Sequence, residues 1–280
     1  MSNQTGFRVV IPGGGVAGLT LANALEVITP CRLGLIQHPH SGIAALVLAK
    51  SLRDVEVRHL LAVLVTPDTV SKASISRLQS LYDEIIPVAA ISGVSTDNLS
   101  IIGRPDLHAT LTKLQLWALT QFSRVVYLNA YTLMLKNLDH LFGFLPPSVE
   151  FAASPELGFP DCFNAGLMFL TPCEGTYAEL RQFTKLHESF DGGDQGILNA
   201  FFGDGSFSHP YKELLVDDRQ INGIENGDGQ AVKAQPTRNW YRLSFTYNIE
   251  IHKVYRYYVP AILRYKDKHK VLHFIGKDKP

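Results

Sequence analysis

Runs of apolar residues alternate with amphipathic stretches through the middle of the chain. The continuous runs predict buried strands, and stretches whose apolar positions recur about every three to four residues predict helices. Strands that alternate with helices in this way are typical of a parallel, doubly wound α/β sheet. The pattern predicts strands at 60–65, 84–88 and 124–128, and helices at 44–52, 71–82 and 111–122.

One end of this predicted sheet is the natural place for a ligand. In doubly wound sheets, ligands bind outside the carboxyl ends of the strands. Asn129, Ala130 and Tyr131 come directly after the strand that ends at Leu128. We therefore expect these three residues at the functional edge.

Two later segments depart from the alternation of strands and helices. Residues 203–239 are polar and rich in Gly, Asp and Asn, which predicts a surface insertion. Residues 253–274 are aromatic and apolar and are typical of strands. The chain has 280 residues, and single α/β domains of about that size are common. We therefore predict one domain over 32–280 that carries the insertion.

The N-terminal segment contains a glycine pattern of its own. Gly13, Gly15 and Gly18 form G-x-G-x-x-G before a helix, and such glycines let the backbone approach a pyrophosphate. The string VVIPGGGVAGLTLANALE resembles the opening of flavin-dependent monooxygenases. Residues 33–38 supply no carboxylate to bind a ribose. We therefore expect no FAD and interpret residues 1–31 as an appended, vestigial βα segment.

Composition limits the kinds of binding partner and cellular compartment that the sequence supports. Hydrophobic residues make up 46% of the chain and charged residues 19%, which supports a substantial core. Since 26 basic residues balance 26 acidic ones, no general charge favours nucleic acid or an anionic membrane. No membrane span or signal peptide is predicted, and the three cysteines form no CxxC pair or disulfide framework. These features favour a cytoplasmic protein, and a homodimer is compatible with them.

Eight blocks of sequence follow one another in the order seen in one enzyme family. The blocks are GIAALVLAKSL, AVLVTPDTVS, YDEIIPV, TLTKLQLWALTQFSRVVYLNAYTLML, PELGFPDCFNAGLMFLTP, FDGGDQGILNAFF, FTYN and VLHFIGKDKP. On these blocks, from about residue 42 to residue 280, the chain resembles the glycogenin-like glycosyltransferases of family eight. The resemblance implies a GT-A fold, with a mainly parallel central sheet flanked by helices. It also implies retaining transfer of a hexose, with glucose favoured, from a UDP-sugar, usually with Mn²⁺.

The metal ligands implied by the resemblance are altered. The family carries Asp-x-Asp after the strand, where this chain has Asn129 and Tyr131, while the histidine of its HFxG motif matches His273. An Asn carbonyl oxygen is a weak ligand, and a neutral tyrosine is a poor one for a hard dication. We expect Mn²⁺ to bind weakly, through His273 and Asn129. The alternative is that His273 is structural.

The resemblance also implies residues that bind the donor. Lys113 matches a lysine that approaches the donor phosphates, and Lys279 matches one that stabilises the leaving diphosphate. Asn164, Asp161 and Gly276 match donor-binding positions. The alternative for both lysines is an ordinary solvated surface position. Glu156 replaces a family aspartate, and the tyrosine that stacks on uracil in relatives has no counterpart at 35–41.

Asp194 and Gln195 match the pair near the anomeric carbon of the donor. A carboxylate there could stabilise an oxocarbenium-like transition state or attack it directly. Residues 191–194 could equally be a turn that caps a helix from about Gln195, and capping and catalysis are compatible.

The sequence leaves three functions open. The first is a retaining hexosyltransferase, and the alternative is a pseudo-glycosyltransferase that binds a sugar or a protein without transfer. An FAD-dependent oxidoreductase rests on the N-terminal segment alone. For the acceptor, Tyr255 matches the tyrosine that glycogenin-like proteins glucosylate on themselves, although a separate small molecule or glycan is our preferred interpretation.

Overall fold

The computed structural model describes residues 29–36, 41–91, 105–157, 161–203, 240–251 and 258–275. The glycine pattern of the N-terminal segment, most of the polar insertion, Tyr255, Gly276 and Lys279 lie outside these ranges. The prediction of an appended segment over 1–31 therefore falls largely outside the described residues as well.

A seven-stranded sheet forms the centre of the described structure, in the order β3-β2-β1-β4-β7-β6-β8. Strands β3, β2, β1 and β4 are parallel, β7 is antiparallel to both of its neighbours, and β8 is parallel to β6. The strands of this sheet are β1 (Thr29–Ile36), β2 (Leu60–Val65), β3 (Glu84–Pro87), β4 (Phe122–Asn129), β6 (Phe151–Pro155), β7 (Phe163–Leu170) and β8 (Tyr241–Arg242).

A small second sheet begins where β4 ends. Its order is β5-β10-β9, with β5 antiparallel and β9 parallel to β10. It consists of β5 (Thr132–Met134), β9 (Ile249–Glu250) and β10 (Val271–His273). The short step from β4 to β5 brings the end of β10 beside the predicted functional edge.

Helices cover both faces of the central sheet. Alternate residues of β2 enter different clusters of buried side chains, with Ala62 and Leu64 on one face and Leu61 and Val63 on the other. This explains the continuous apolar run, because a strand buried on both faces has no polar side. The helices are α1 (Ser41–Asp54), α2 (Lys72–Leu78), α3 (His140–Phe144), α4 (Glu174–Leu186), α5 (Asp194–Phe202) and α6 (Val259–Arg264), with 3-10 helices at Pro105–Ala118, Phe245–Tyr247 and Lys266–Lys268.

Aromatic packing fixes α5 against the first face. Phe202, the last residue of α5, stacks on Phe151 with ring centroids 4.3 Å apart and on Trp117 at 5.5 Å. Offset aromatic pairs of this kind stabilise a core beyond the area they bury. The start of α5 and the 3-10 helix Pro105–Ala118 are thereby held over β7.

The predicted strands at 60–65 and 124–128 and the helix at 44–52 are confirmed by β2, β4 and α1. The helix predicted at 71–82 is shorter, and it ends at Leu78. The helix predicted at 111–122 was wrong in type and extent, because the segment is a 3-10 helix that ends at Ala118 and Phe122 already begins β4.

The interpretation of 253–274 as strand-like was also wrong for most of its described part. Val259–Arg264 forms α6, and only Val271–His273 forms a strand. The helix has a proline in its first turn, a position where proline fits because its missing N–H would be unpaired anyway.

Candidate active site

A buried ion pair lies over the start of β7. Lys113, on the 3-10 helix Pro105–Ala118, donates to the carboxylate of Asp194, the first residue of α5, and to the carbonyl oxygen of Ala165 at 3.1 Å. Lys113 is 6% exposed and Asp194 8%. Burial alone would lower the pKa of Lys113, but the charge of Asp194 and hydrogen bonds to Asp194 and Tyr127 raise the pKa above its ordinary value.

This ion pair rules out one of the two alternatives that the sequence left open for Lys113. Lys113 is not a solvated surface lysine, since its ammonium group is enclosed by Asp194, Ala165 and the ring of Tyr127, whose centroid is 5.0 Å away. The prediction that Lys113 approaches the donor phosphates stays a prediction. Tyr127, which the sequence did not single out, is buried, and burial raises the pKa of its hydroxyl.

A separate carboxylate caps the helix that carries Asp194. The Asp191 oxygen Oδ1 accepts hydrogen bonds from the Gly193 amide at 2.8 Å and the Gly196 amide at 3.0 Å. Gly192, between Asp191 and Gly193, has φ = 76°, a conformation that favours glycine. Because the Asp191 side chain caps the helix, the Asp194 side chain is not needed for capping, and it pairs with Lys113 instead.

Two amide side chains meet beside this ion pair. Asn164, on β7, and Gln195, on α5, both donate to Oε2 of Glu156, at 2.8 and 2.9 Å. The structure thus brings together Asn164, Gln195 and Asp194, three of the predicted site residues. Asn199, one turn after Gln195, bonds both the N–H and the C=O of Phe163 at 2.9 Å and so locks α5 to the start of β7.

His273 reaches the same region from the small sheet. A Cβ atom at Gly166 would overlap the His273 ring and the Asn164 amide, so only glycine allows this close approach. In the small sheet, His273 is in register with Thr132 on β5 and Glu250 on β9. The predicted metal ligand His273 and the Asn164 amide therefore both lie close to Gly166.

Glu250 is a fully buried carboxylate that the sequence analysis did not identify. Burial raises its pKa to about 8, and a hydrogen bond from the Leu157 backbone opposes that rise. Asn248, two residues earlier and directly before β9, donates to Asn164 Oδ1 at 2.9 Å. The alternation of the polar residues Asn248 and Glu250 with the apolar residues Ile249 and Ile251 was the available signal for this polar cluster.

The turn after β4 is built without carboxylates. Asn129 Oδ1 accepts the Tyr131 amide at 3.0 Å, and the Asn129 carbonyl accepts the Thr132 hydroxyl at 2.7 Å. The best ligand atom of Asn129 therefore already caps the turn. Among the residues that the structure describes, no group of three or more His, Cys, Asp or Glu side chains is arranged to hold a metal. These side chains do not fit a tightly held Mn²⁺ or Mg²⁺, which requires charged oxygen ligands.

Asp161 forms a salt bridge with a residue outside the predicted site. It is exposed, and its carboxylate accepts from Arg242 on β8 at 2.8 Å. The next residue, Cys162, is half-buried, and burial together with the charges of Asp161, Asp191 and Glu250 raises the pKa of its thiol to about 11. The assignment of Asp161 to donor binding stays a prediction.

None of the helices in the described ranges is long and apolar enough to cross a bilayer.

Comparison with known proteins supports the resemblance. The profile described as Glycosyl transferase family 8 matches residues 42–280. Glycogenin of Neurospora crassa is 38% identical over 237 residues, which cover 84% of this chain and 29% of that protein. Glycogenin-1 of Oryctolagus cuniculus is 36% identical over 239 residues, which cover 84% of this chain and 60% of that protein. The chain therefore spans less than two thirds of the length of these relatives.

Solved structures share the architecture at low sequence identity. The WbbM bifunctional glycosyltransferase gives a TM-score of 0.59 at 15% identity, over 91% of this chain and 47% of that one. The galactosyltransferase LgtC, solved with donor and acceptor sugar analogs, gives 0.54 at 15% identity, over 90% of this chain and 88% of that one. These similarities confirm the predicted GT-A fold.

Proposed function

Because the chain belongs to glycosyl transferase family 8, we propose that it transfers a hexose from a UDP-sugar to an acceptor hydroxyl with retention of configuration. Glucose is the hexose that we propose. The observation that carries this proposal is the buried pair of Lys113 and Asp194 beside the Asn164 and Gln195 amides. A charged pair that is costly to bury, flanked by amides suited to sugar hydroxyls, is best explained by a site for a sugar that develops positive charge.

The reaction breaks the bond between the sugar C1 and the β-phosphate oxygen, and UDP leaves with the bonding electrons. The acceptor oxygen forms the new bond to C1 on the face that UDP leaves, and the acceptor proton passes to the departing diphosphate. Positive charge therefore builds on C1 and the ring oxygen. Asp194 is the carboxylate that offsets this charge.

The contact between Lys113 and Asp194 favours an electrostatic role over direct attack. A carboxylate that is paired with a buried ammonium group is a weaker nucleophile, because the nearby positive charge stabilises the anion and lowers its basicity. It still presents negative charge to C1 from a fixed position. Lys113 thus serves to hold and orient Asp194.

The leaving diphosphate requires positive charge from elsewhere on the chain. Lys279 is the proposed source, on the strength of its match in the HFIGKDKP block. Mn²⁺, when bound, would supply further positive charge to the diphosphate, with His273 and Asn129 as the residues to hold it. Since Asn129 already caps its own turn, we expect that contribution to be small.

The acceptor is proposed to be a separate small molecule or glycan. Relatives named glycogenin make self-glucosylation at Tyr255 the second candidate, in a monomer or in a homodimer. A Tyr255→Phe variant that still transfers glucose to added maltooligosaccharide, and no longer labels itself, would separate the two routes.

A sugar-binding protein without transferase activity is the alternative function. The observation that favours it is the turn at Asn129 and Tyr131, where neutral side chains stand in place of two carboxylates. Calorimetric titration with UDP and UDP-glucose, with and without Mn²⁺, combined with an assay for UDP release, tests both functions. Binding with turnover supports the transferase, binding without turnover supports the alternative, and no binding rejects both.

A further inference from the structure

Glu156, directly after β6, contacts both amide side chains of the candidate sugar site. A single oxygen, Oε2, accepts from Asn164 Nδ2 at 2.8 Å and from Gln195 Nε2 at 2.9 Å. An ionised carboxylate can only accept hydrogen bonds. The NH₂ ends of both amides must therefore face Glu156.

The opposite ends of the same amides are fixed by the backbone of β7. The Ala165 amide donates to Gln195 Oε1 at 3.0 Å, and the Gly166 amide donates to Asn164 Oδ1 at 2.8 Å. A backbone N–H can only donate, so these two partners must be oxygens. A flip of either amide would place N–H against N–H at one end and oxygen against carboxylate at the other. Each orientation is thus determined twice.

The backbone around Glu156 is also held in place. Its own N–H donates to the Cys162 carbonyl at 2.8 Å, and the preceding residue, Pro155, is in register with Phe163 on β7. These contacts fix the backbone from which the Glu156 side chain reaches the two amides.

We infer that Glu156 is the positioning residue of the donor-sugar subsite. Each NH₂ group has two hydrogens, and Glu156 accepts one from each, which directs the second N–H of Asn164 and of Gln195 as a fixed pair of donors. Such a pair selects a neutral sugar whose hydroxyl oxygens accept hydrogen bonds. The inference rests on the proposed function and deepens it, because it names the residue that orients the hydrogen-bond donors for the sugar hydroxyls.

Calorimetry with two probes tests this role. UDP-glucose and UDP share the nucleotide and differ in the sugar and in the charge of the terminal phosphate, so a change in the ratio of their affinities between the wild type and a variant reports on the sugar contacts. Glu156→Met keeps most of the side-chain volume but has no acceptor oxygen. We expect it to lower the affinity for UDP-glucose about 10-fold, the rough worth of two neutral hydrogen bonds, while the affinity for UDP stays within about 2-fold.

Conservative variants separate positioning from simple anchoring. Glu156→Gln retains an acceptor oxygen, and we expect it to keep most of the UDP-glucose preference. Glu156→Asp keeps the charge but is one methylene shorter, so it should lose one amide contact and about 3-fold of the preference. This variant also serves if Glu156→Met does not fold. The matched control is Glu150→Met, at the other end of β6 and exposed.

Three results would overturn the inference. If Glu156→Met weakens UDP and UDP-glucose equally, or lowers only the unfolding temperature, Glu156 is a structural anchor. If Glu156→Met and Glu156→Asp both retain the wild-type preference, the amides need no help from Glu156. If the wild-type protein itself binds neither UDP-glucose nor UDP, the proposed donor function fails, and that failure is visible before any variant is measured.

Discussion

The ammonium group of Lys113 contacts the carboxylate of Asp194 across 81 residues of sequence, with both side chains almost completely enclosed. A pair this deeply buried gives up the hydration of both charges, and the attraction between them has to offset that cost. The pair therefore couples two properties that are usually separate, the stability of the fold and the charge presented to the sugar. Substitutions at the two residues separate these properties.

Asp194→Asn should abolish glucose transfer while UDP binding stays within about 3-fold. The carboxylate acts on charge that is present mainly in the transition state, so its loss should lower kcat far more than affinity. Single-turnover measurement of UDP-glucose consumption and calorimetry with UDP would be compared. The matched control is Asp54→Asn, in an exposed pair with Lys50 at the end of α1. Unchanged turnover in Asp194→Asn would reject the assignment of Asp194.

The same substitution should also destabilise the protein, because it leaves the Lys113 charge buried without a counter-charge. Loss of one partner of a buried pair costs on the order of 3–5 kcal/mol. Lys113→Met should cost a similar amount, whereas the double variant Lys113→Met with Asp194→Asn should cost much less than the sum. Denaturant unfolding of the four proteins measures this coupling. Additive losses would show that the two side chains are energetically independent.

Thiol alkylation should separate the three cysteines. Cys173 is exposed and should react first, and Cys31 is buried and should react only on unfolding. The pKa of Cys162 is raised to about 11, and only the thiolate reacts. Its alkylation rate should therefore be low near neutral pH and rise about 10-fold per pH unit up to that value. Peptide mass spectrometry after timed iodoacetamide treatment measures each site, with the unfolded protein as control. Equal rates at Cys162 and Cys173 in the folded protein would contradict this environment.

Local pattern was enough to predict β2 and most of β4, since the stretches 60–65 and 125–128, which are buried on both faces, are apolar at every position. It failed at Phe122, because an apolar residue at the junction of a helix and a strand fits either element. The candidate site likewise has features that local sequence could predict and features that it could not. Asp194 and Gln195 could be located from a short block of sequence, but the contact between Gln195 and Glu156 joins residues 39 apart. That pairing depends on how α5 packs on β7, which no local pattern contains.

The start of β1 gives a sharper test of the N-terminal segment. A protein that lacks residues 1–31 loses Thr29–Cys31 from the central sheet, including Cys31, which is fully buried and in register with Leu60 and Val125. We expect that truncation to cost about 2 kcal/mol of stability or more. A protein that lacks only residues 1–28 keeps the whole strand and should bind UDP-glucose like the full chain. A folded 29–280 protein that loses this binding would show that the segment belongs to the site.

The turn after β4 offers the last test, because its geometry survives without the family's carboxylates. Asn129 Oδ1 accepts the Tyr131 amide, and an aspartate at 129 can accept the same hydrogen bond with one oxygen and keep the other for a metal. Tyr131 lies two residues on, and the Phe274 amide, next to His273, donates to its carbonyl at 2.9 Å. New carboxylates at 129 and 131 would therefore stand close to the strand that carries His273.

The double variant Asn129→Asp with Tyr131→Asp should strengthen UDP binding at least about 10-fold when Mn²⁺ is added, since a hard dication gains most from charged oxygen ligands. Calorimetry with UDP, with and without Mn²⁺, measures this gain, and Asn129→Asp with Tyr131→Asn is the matched control of lower charge. If Lys279 rather than a metal supplies the positive charge for the leaving diphosphate in the native protein, the rate of glucose transfer should be insensitive to EDTA, and only the double variant should become sensitive. A native enzyme that loses all activity in EDTA would instead show that Asn129 and His273 suffice as ligands. A folded double variant with no response to Mn²⁺ would mean that the turn no longer aims its side chains at the diphosphate, and would favour the function without transfer.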